Sequence, residues 1–405
     1  MATENAALGA AVRAASIAAV TPVPFIATPA SAASDAAVVT QRPPSEAGER
    51  AVMAQRMKSD WCGFGTAERR RFLQAAANAS GALDPDPFLT LSDSVGTELL
   101  AEASNEAVQR WIGVLMQRGD PRSQALADYL SIGDEARTRL QRRAHNSADP
   151  MVTVLALLRP CAVGACVNVE ASQWSRLEPA NLQAWLALEK EPTGSSHNQQ
   201  GYVLERAASE ARYSRSYLQE FQALLHSLPQ TEAPGLQAQA EAELDIGIVA
   251  AWPIRSSRPL QDTCRGSLTE TGVVERCATV ADMLWQQVDL MDRGLAIALA
   301  RAVLSVRPGL RAQWEVRARE YEAVSQWTQG ALARVLRRLI PGDEVLASRC
   351  DVLPELRRMQ REAAARSDWE RARLEMREAD VNEAALSALW RQRAGRSVLE
   401  AQSRR

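Results

Sequence analysis

The chain has 405 residues, of which 46% are hydrophobic and 24% are charged. This is the composition of a soluble globular protein that can bury a core, and the length allows two or three domains or one extended repeat array. The formal net charge of -2 gives no basic footprint, so we expect no nucleic-acid partner. No run reaches the roughly eighteen apolar residues of a membrane-spanning helix, so we expect no transmembrane segment.

Residues 1–48 form a low-complexity segment rich in Ala, Thr, Pro and Ser. Ala30-Ser31-Ala32 follows a mildly apolar run and fits the small-residue pattern of a signal-peptide cleavage site. Glu4, Pro22 and Pro24 argue against such a signal. Two interpretations therefore stay open: a weak signal segment of a periplasmic or secreted protein, or a disordered tail of a cytoplasmic protein.

Apolar residues recur three and four positions apart from about residue 49 onward, as in "NLQAWLALEK" and "RGLAIALARAVL". This is the period of amphipathic helices, and the alternating runs typical of strands are nearly absent. The sequence predicts an all-α protein. We expect a helical repeat region over residues 49–250, and a continuing helical array with charged C-terminal capping helices over residues 251–405.

An acidic residue followed by proline recurs every 29 residues, at Asp120-Pro121, Asp149-Pro150 and Glu178-Pro179. An acidic N-cap before a proline in the first turn is a favourable helix start, because proline lacks only an N–H that has no partner there. Each proline is therefore predicted to open a helix. Each unit has room for a second helix before the next proline.

The junction "RLEPANLQAWLALE" resembles a tetratricopeptide-type helical repeat, although the family's usual period is about 34 residues. The resemblance implies antiparallel helix pairs stacked as an irregular α-solenoid. It places Gly201 and Ala208 where small residues let two helices approach closely, and "AVLSVRPGLRAQW" repeats the same proline-to-tryptophan spacing. The repeat-packing positions that follow are Pro121, Pro150, Leu177, Pro179, Trp185, Leu188, Gly201, Ala208, Pro308 and Trp314.

The C-terminal segment is strongly charged. The run "VLPELRRMQREAAARSDWERARLEMREAD" predicts one long helix, and "NEAALSALWRQRAG" a shorter one that completes a terminal cap. The charges would either form a solvated face or bind an acidic partner. Alternating signs at helical spacing favour the solvated face.

Six cysteines form candidate disulfides: Cys161 with Cys166, Cys264 with Cys277, and Cys62 with Cys350. The short segment "AVGA" lets the first two sulfurs meet. Free buried thiols in a reducing cytosol and a zinc site remain alternatives, although the spacings differ from the paired C-x2-C of structural zinc sites. Cys62 in "DWCGFG" could be proposed as a nucleophile, but none of the three histidines lies in a recognisable partner motif.

No motif of catalysis, phosphate binding, metal binding or cofactor binding occurs, so we assign no catalytic, cofactor-binding or metal residues. The leading hypothesis is a bacterial helical-repeat scaffold that binds a protein or peptide partner. The alternative is an enzyme whose active site is built from scattered carboxylates in a helical bundle. A structural component that self-associates through an apolar patch is the third hypothesis. Most of the ten tryptophans are expected in the core.

Overall fold

The computed structural model describes residues 46–78, 86–188, 197–252, 257–266, 270, 272–339 and 350–400. Over these residues the chain forms eighteen α-helices and no strands, so the predicted all-α fold is confirmed. Most of the predicted N-terminal segment 1–48, including its candidate cleavage site, lies outside the described residues.

The described helices follow one another in this order. They are α1 (Glu46–Ser59), α2 (Thr66–Asn78), α3 (Pro87–Arg118), α4 (Pro121–Leu130), α5 (Asp134–His145), α6 (Pro150–Leu158), α7 (Ala171–Leu177), α8 (Leu182–Leu188), α9 (His197–Glu210), α10 (Leu218–His226), α11 (Leu236–Ala250), α12 (Arg258–Gly266), α13 (Val273–Trp285), α14 (Leu290–Leu304), α15 (Arg311–Leu339), α16 (Leu353–Ala365), α17 (Asp368–Glu378) and α18 (Glu383–Ala394).

Two of the three acid-proline pairs open helices as expected. The Asp120 side chain accepts a hydrogen bond from the backbone N–H of Ser123 at 2.9 Å, and Pro121 lies in the first turn of α4. Asp149 caps α6 in the same way, and Pro150 follows it. Each cap satisfies an N–H that the helix itself cannot pair.

The third predicted helix start, at Pro179, is wrong. Pro179 lies in a turn, and α8 begins at Leu182. The Glu178 carboxylate accepts hydrogen bonds from other side chains and does not cap a helix. The Glu178 residue is instead the C-cap of α7. Asn181 takes the capping role instead, because its side-chain oxygen accepts the N–H of Gln183 at 3.1 Å. The pair therefore closes one helix where it was expected to open the next.

Helices α4 to α9 form the three predicted helix pairs, and each helix contacts the next. Leu126, Leu155 and Ala184, at equivalent places of the three units, are fully buried. Such neighbour contacts fit stacked repeats, while the solenoid arrangement itself stays a prediction. Residues on both sides of the predicted boundary at 250 and 251 share one hydrophobic core, and that boundary also stays a prediction.

The positions suggested by the family resemblance differ in burial. Trp185, Leu188 and Trp314 are buried, and Ala208 packs against the core. Gly201 is exposed, and a Cβ there would meet no atom within 4 Å. The expectation that glycine permits a close helix approach at this position is therefore wrong, because open space surrounds it.

Other positions of the same set lie at element ends. Leu177 is the last residue of α7, and Pro308 begins a 3-10 turn, Pro308–Leu310, that leads directly into α15. Proline is well suited to the first position of a helical turn. These positions end or begin helices and do not pack two helices together.

The predicted single long C-terminal helix is also wrong, because the structure divides it into α16 and α17. Ser367 begins a capping box: its hydroxyl accepts the N–H of Glu370 at 3.2 Å, and the Glu370 carboxylate accepts the N–H of Ser367 at 3.3 Å. A capping box starts a new helix because it satisfies two otherwise unpaired N–H groups. Arg366 is extended, so the chain turns a corner between the two helices.

The six cysteines lie at disulfide distance in three pairs, Cys62–Cys350, Cys161–Cys166 and Cys264–Cys277. These pairs agree with the expected disulfides and leave no free thiol. Disulfides of this kind are typical of oxidising environments outside the cytoplasm. In the described part of the chain, no helix has the length and apolar character needed to cross a bilayer.

Candidate binding cleft

An open cleft of about 570 Å³ lies at the corner between α16 and α17. The described residues that line it are Ala365, Arg366, Trp369, Glu370, Arg373, Leu374 and Arg377. Arg373 and Arg377 lie one helical turn apart on α17, and Arg366 precedes its N-cap. Eleven helical residues extend about 16 Å, so the guanidinium groups are distributed along an elongated surface.

The three cleft arginines differ in their partners. Arg373 pairs with Glu383 at 2.5 Å and with Glu320 at 3.9 Å. Arg366 and Arg377 are exposed, and neither pairs with a carboxylate of the described residues. Two guanidinium groups are therefore available for an external anion.

The one acidic side chain of the described lining, Glu370, is already engaged. Its carboxylate accepts hydrogen bonds from the backbone N–H and the hydroxyl of Ser367, at 3.3 and 3.0 Å. A carboxylate in the first turn of a helix is stabilised by the helix dipole. Because Arg373 has its own carboxylate partners, the excess positive charge along the cleft comes from Arg366 and Arg377.

A stack of tryptophan and arginine side chains supports the wall of the cleft. The Arg293 guanidinium carbon lies 4.0 Å from the ring centroid of Trp369 and 4.8 Å from that of Trp285. The Arg317 guanidinium carbon continues the stack at 4.4 Å from the ring centroid of Trp314. Cation-π contacts of this kind contribute about 0.5 to 2 kcal/mol each, so α14, α15 and α17 are held together behind the cleft.

Two further contacts hold this wall in place. Arg293 donates from Nε to the backbone oxygen of Gln287 at 2.7 Å, and burial lowers the pKa of its guanidinium. The indole N–H of Trp327 on α15 donates to Glu375 on α17 at 2.8 Å. Because its neighbours are fixed, α17 presents its arginines from a rigid base.

The tryptophans are in or near the core. Trp327 and Trp390 are half-buried, and the other eight are buried. The expectation that most of them are core residues is confirmed. Trp369 is 5% exposed and contributes only an edge to the cleft, so charge and not aromatic area dominates this surface.

The carboxylates that the enzyme hypothesis requires are mostly occupied by structural hydrogen bonds. Glu178 accepts from Tyr213 and Tyr217 at 2.8 and 2.9 Å through Oε1, and from Trp174 and Asn181 at 2.9 Å through Oε2. Burial and the neighbouring Glu178 charge raise the pKa of Tyr213 to about 12. With four donors around it, Glu178 holds α7, α8 and the segment before α10 together.

Three other buried carboxylates also have hydrogen-bond or ion-pair donors at both oxygens. Glu322, fully buried on α15, accepts from Ser387, Arg391, Ser397 and the N–H of Val398 at 2.6 to 3.0 Å. Asp128 pairs with Arg139 and Arg143, and Glu241 with Arg110 and Thr231. Buried carboxylates whose oxygens are paired in this way serve packing between helices.

Two buried carboxylates, Asp245 and Asp292, differ from these groups. Asp245 Oδ1 accepts no hydrogen bond from the described residues, and its other oxygen lies 3.3 Å from His226 Nε2. Asp292 is 8% exposed and has a single donor among the same residues, the Ser214 hydroxyl at 2.9 Å. Burial and the nearby Asp289 charge raise its pKa to about 7. A carboxyl group that titrates near neutral pH is chemically suited to general acid or base catalysis, but Asp292 lies on α14 and does not line the cleft.

Cys62 is not a free nucleophile in this structure, because its sulfur is paired with that of Cys350. His226 lies 3.3 Å from Asp245, with no thiol beside it among the described residues. The hypothesis of a catalytic Cys62 is therefore contradicted.

Comparisons with protein families, with characterised proteins and with solved structures found no match. The resemblance to tetratricopeptide repeats accordingly stays a prediction.

Sequence reasoning missed the cleft because it treated residues 352–380 as one helix with a solvated face. The signal was present: Ser367 and Glu370 have the S-x-x-E spacing of a capping box. It predicts a break after Arg366, and therefore a corner at the centre of the charged run. The three arginines were all within that run, but their convergence depends on the corner.

Proposed function

We propose that this protein is a non-enzymatic helical scaffold that binds a protein or peptide partner through the α16–α17 cleft. One observation carries the proposal: two exposed arginines, Arg366 and Arg377, face an open, elongated cleft without a carboxylate partner in the described chain. Arginine is enriched at the energetic centres of protein interfaces, and a rigid support lowers the entropic cost of binding.

The shape of the surface favours a polypeptide over a small molecule. Small-molecule sites are concave and mostly apolar and enclose most of their ligand. This cleft is open, its lining combines charged and apolar side chains, and it extends along α17. An extended segment of a partner could contact the whole surface without being enclosed.

The alternative function, an enzyme built from scattered carboxylates, is supported by the raised pKa of Asp292 and by the raised pKa of its neighbour Asp289, the N-cap of α14. Acid-base catalysis by carboxylates commonly uses two groups whose environments separate their pKa values within one site. Glu178, Glu322 and Asp128 are instead engaged by structural donors in different parts of the fold. The scaffold therefore has the stronger support.

We further propose a periplasmic or secreted location and a solenoid-like stacking of α4 to α9. The three cysteine pairs support the location, because stable disulfides form mainly outside the cytoplasm. The contacts of each helix with the next support the stacking.

Photo-crosslinking in the native host tests the scaffold function. We expect p-benzoyl-phenylalanine in place of Ala365, an exposed residue of the cleft, to form a light-dependent adduct with another protein. The matched control is the same substitution at Ala101, which is exposed on α3. Adducts at neither position, or equal adducts at both, would contradict the proposal.

A further inference from the structure

We infer that the partner segment bound in the α16–α17 cleft is acidic at both ends and apolar between them. The inference rests on the proposed function and specifies the chemistry of its partner. It follows from the order of side chains along the cleft, which is Arg366, then Trp369, Glu370 and Leu374 in the middle, and Arg377 at the far end.

The arginines at the two ends of the cleft, Arg366 and Arg377, determine where the acidic residues of the partner segment should lie. A guanidinium group pairs with a carboxylate through two parallel hydrogen bonds. Arg366 and Arg377 are exposed and lack a carboxylate among the described residues, so binding would not require an internal ion pair to break. These two arginines are therefore the recognition residues.

Arg373 has a different role because Glu383 and Glu320 already neutralise it. Its pairs link α17 to α15 and to the start of α18. It is a positioning residue, and a carboxylate approaching it would compete with two existing partners.

The middle of the cleft disfavours an acidic ligand residue. The Glu370 carboxylate lies there and is committed to the capping box, so a second carboxylate beside it would be repelled. Leu374 and the edge of Trp369 offer apolar contact instead. An apolar centre flanked by acids thus matches the surface, whereas a uniformly acidic segment matches it less well.

The length of the cleft sets the spacing of the two acidic ends. Arg366 and Arg377 lie eleven positions apart in sequence, which corresponds to about 16 Å along a helix. An extended peptide advances about 3.3 Å per residue, so the acidic ends should be about five residues apart.

The experiment measures binding of two labelled heptapeptides to the full chain by fluorescence anisotropy. The acidic probe is fluorescein-Asp-Glu-Val-Leu-Val-Glu-Asp, and the neutral probe replaces each acid by its amide. We expect the acidic probe to bind at least about tenfold more tightly at low salt, and to weaken as ionic strength rises, because exposed ion pairs are screened.

A matched pair of variants locates the site. Arg366→Gln/Arg377→Gln removes the two recognition residues. Arg142→Gln/Arg176→Gln removes two exposed arginines elsewhere in the chain, with the same change in net charge. We expect about tenfold weaker binding of the acidic probe for the first variant and unchanged binding for the second, with unchanged near-ultraviolet circular dichroism in both.

Equal affinity for the two probes, or equal loss in the two double variants, would overturn the inference. A crosslinked partner at position 365 that the acidic probe cannot displace would overturn the inference and leave the proposed function intact. Arginine-dependent binding of the acidic probe without any crosslinked partner would support the acidic preference of the cleft and count against the proposed function.

Discussion

Two kinds of charged residue differ in their partners: buried carboxylates with several hydrogen-bond donors, and exposed arginines without an ion pair in the described chain. Glu178 and Glu322 are buried and accept four hydrogen bonds each, whereas Arg366 and Arg377 are exposed without an ion pair in the described chain. Removing a buried partner leaves an uncompensated charge and is strongly destabilising. Removing an exposed arginine changes stability little, so its loss can report on binding alone.

Asp292 should make stability depend on pH. Its raised folded-state pKa of about 7 means that the folded chain keeps the proton up to neutral pH, whereas the unfolded chain releases it near pH 4. The contribution to the free energy of unfolding is therefore fully present below about pH 4 and is lost as pH rises to about 7. Asp292→Asn mimics the protonated group and should be more stable than the wild type at pH 8, by up to about 4 kcal/mol.

Urea unfolding at pH 4.5 and pH 8 measures this difference. Glu315→Gln, at an exposed position of α15, is the control and should show no comparable change between the two pH values. A difference between Asp292→Asn and wild type that is the same at both pH values would contradict a raised pKa at this site.

Some residue roles were predictable from sequence and others were not. Cys161 and Cys166 are five positions apart, so their pairing follows from a short local loop. The role of Glu178 depends on Tyr213 and Tyr217, which lie 35 and 39 positions away and approach it only in the folded chain. Local spacing can predict a contact between residues close in sequence. It cannot predict a contact that forms only when distant segments pack together.

Helix boundaries show how local chemistry determines the elements. The aspartates before α4 and α6 and the Ser367 capping box before α17 each satisfy free N–H groups. Glu178 does not act as a cap, because the side chains of Trp174 and Tyr213 donate to its carboxylate. The predictable boundaries are therefore those at which no tertiary contact competes for the capping side chain.

The disulfides should contribute unequally to stability. Cys62–Cys350 links the turn after α1 to the residues before α16 across 288 positions, whereas Cys161–Cys166 spans 5. In the chain-entropy view a cross-link stabilises more when it closes a longer loop, with values of about 6 and about 2 kcal/mol for these two cases. Replacing both cysteines of the first pair with alanine should therefore lower the free energy of unfolding more.

The two double alanine variants serve as controls for each other, because each removes one bridge and two sulfurs. Urea denaturation followed by tryptophan fluorescence gives both free energies. Equal losses, or a larger loss for the short bridge, would contradict the chain-entropy account.

The whole molecule combines a main core with a separate N-terminal cluster. Met57, Trp61 and Leu99 pack together with Cys350, and the Trp61 indole donates to Gln239 on α11 at 2.8 Å. The N-terminal region is thus tied to α11 by a hydrogen bond, and to the residues before α16 by a disulfide and apolar contact. Its attachment relies on elements far apart in sequence.

The all-α class was predictable because helical periodicity is local, and it extends through nearly every segment. The packing of α3 against α11, and of α10 against α16, could not be predicted from sequence, because those contacts join residues more than a hundred positions apart. The cleft belongs to this second category. It requires the α16–α17 corner to be supported by α14 and α15.

Hydrogen–deuterium exchange of the full chain with and without the acidic heptapeptide tests most directly whether the α16–α17 corner is the binding surface. We expect slower exchange confined to peptides covering residues 365–378, and no such effect in Arg366→Gln/Arg377→Gln. Protection confined to other helices, or no protection at a saturating concentration of the peptide, would contradict the account.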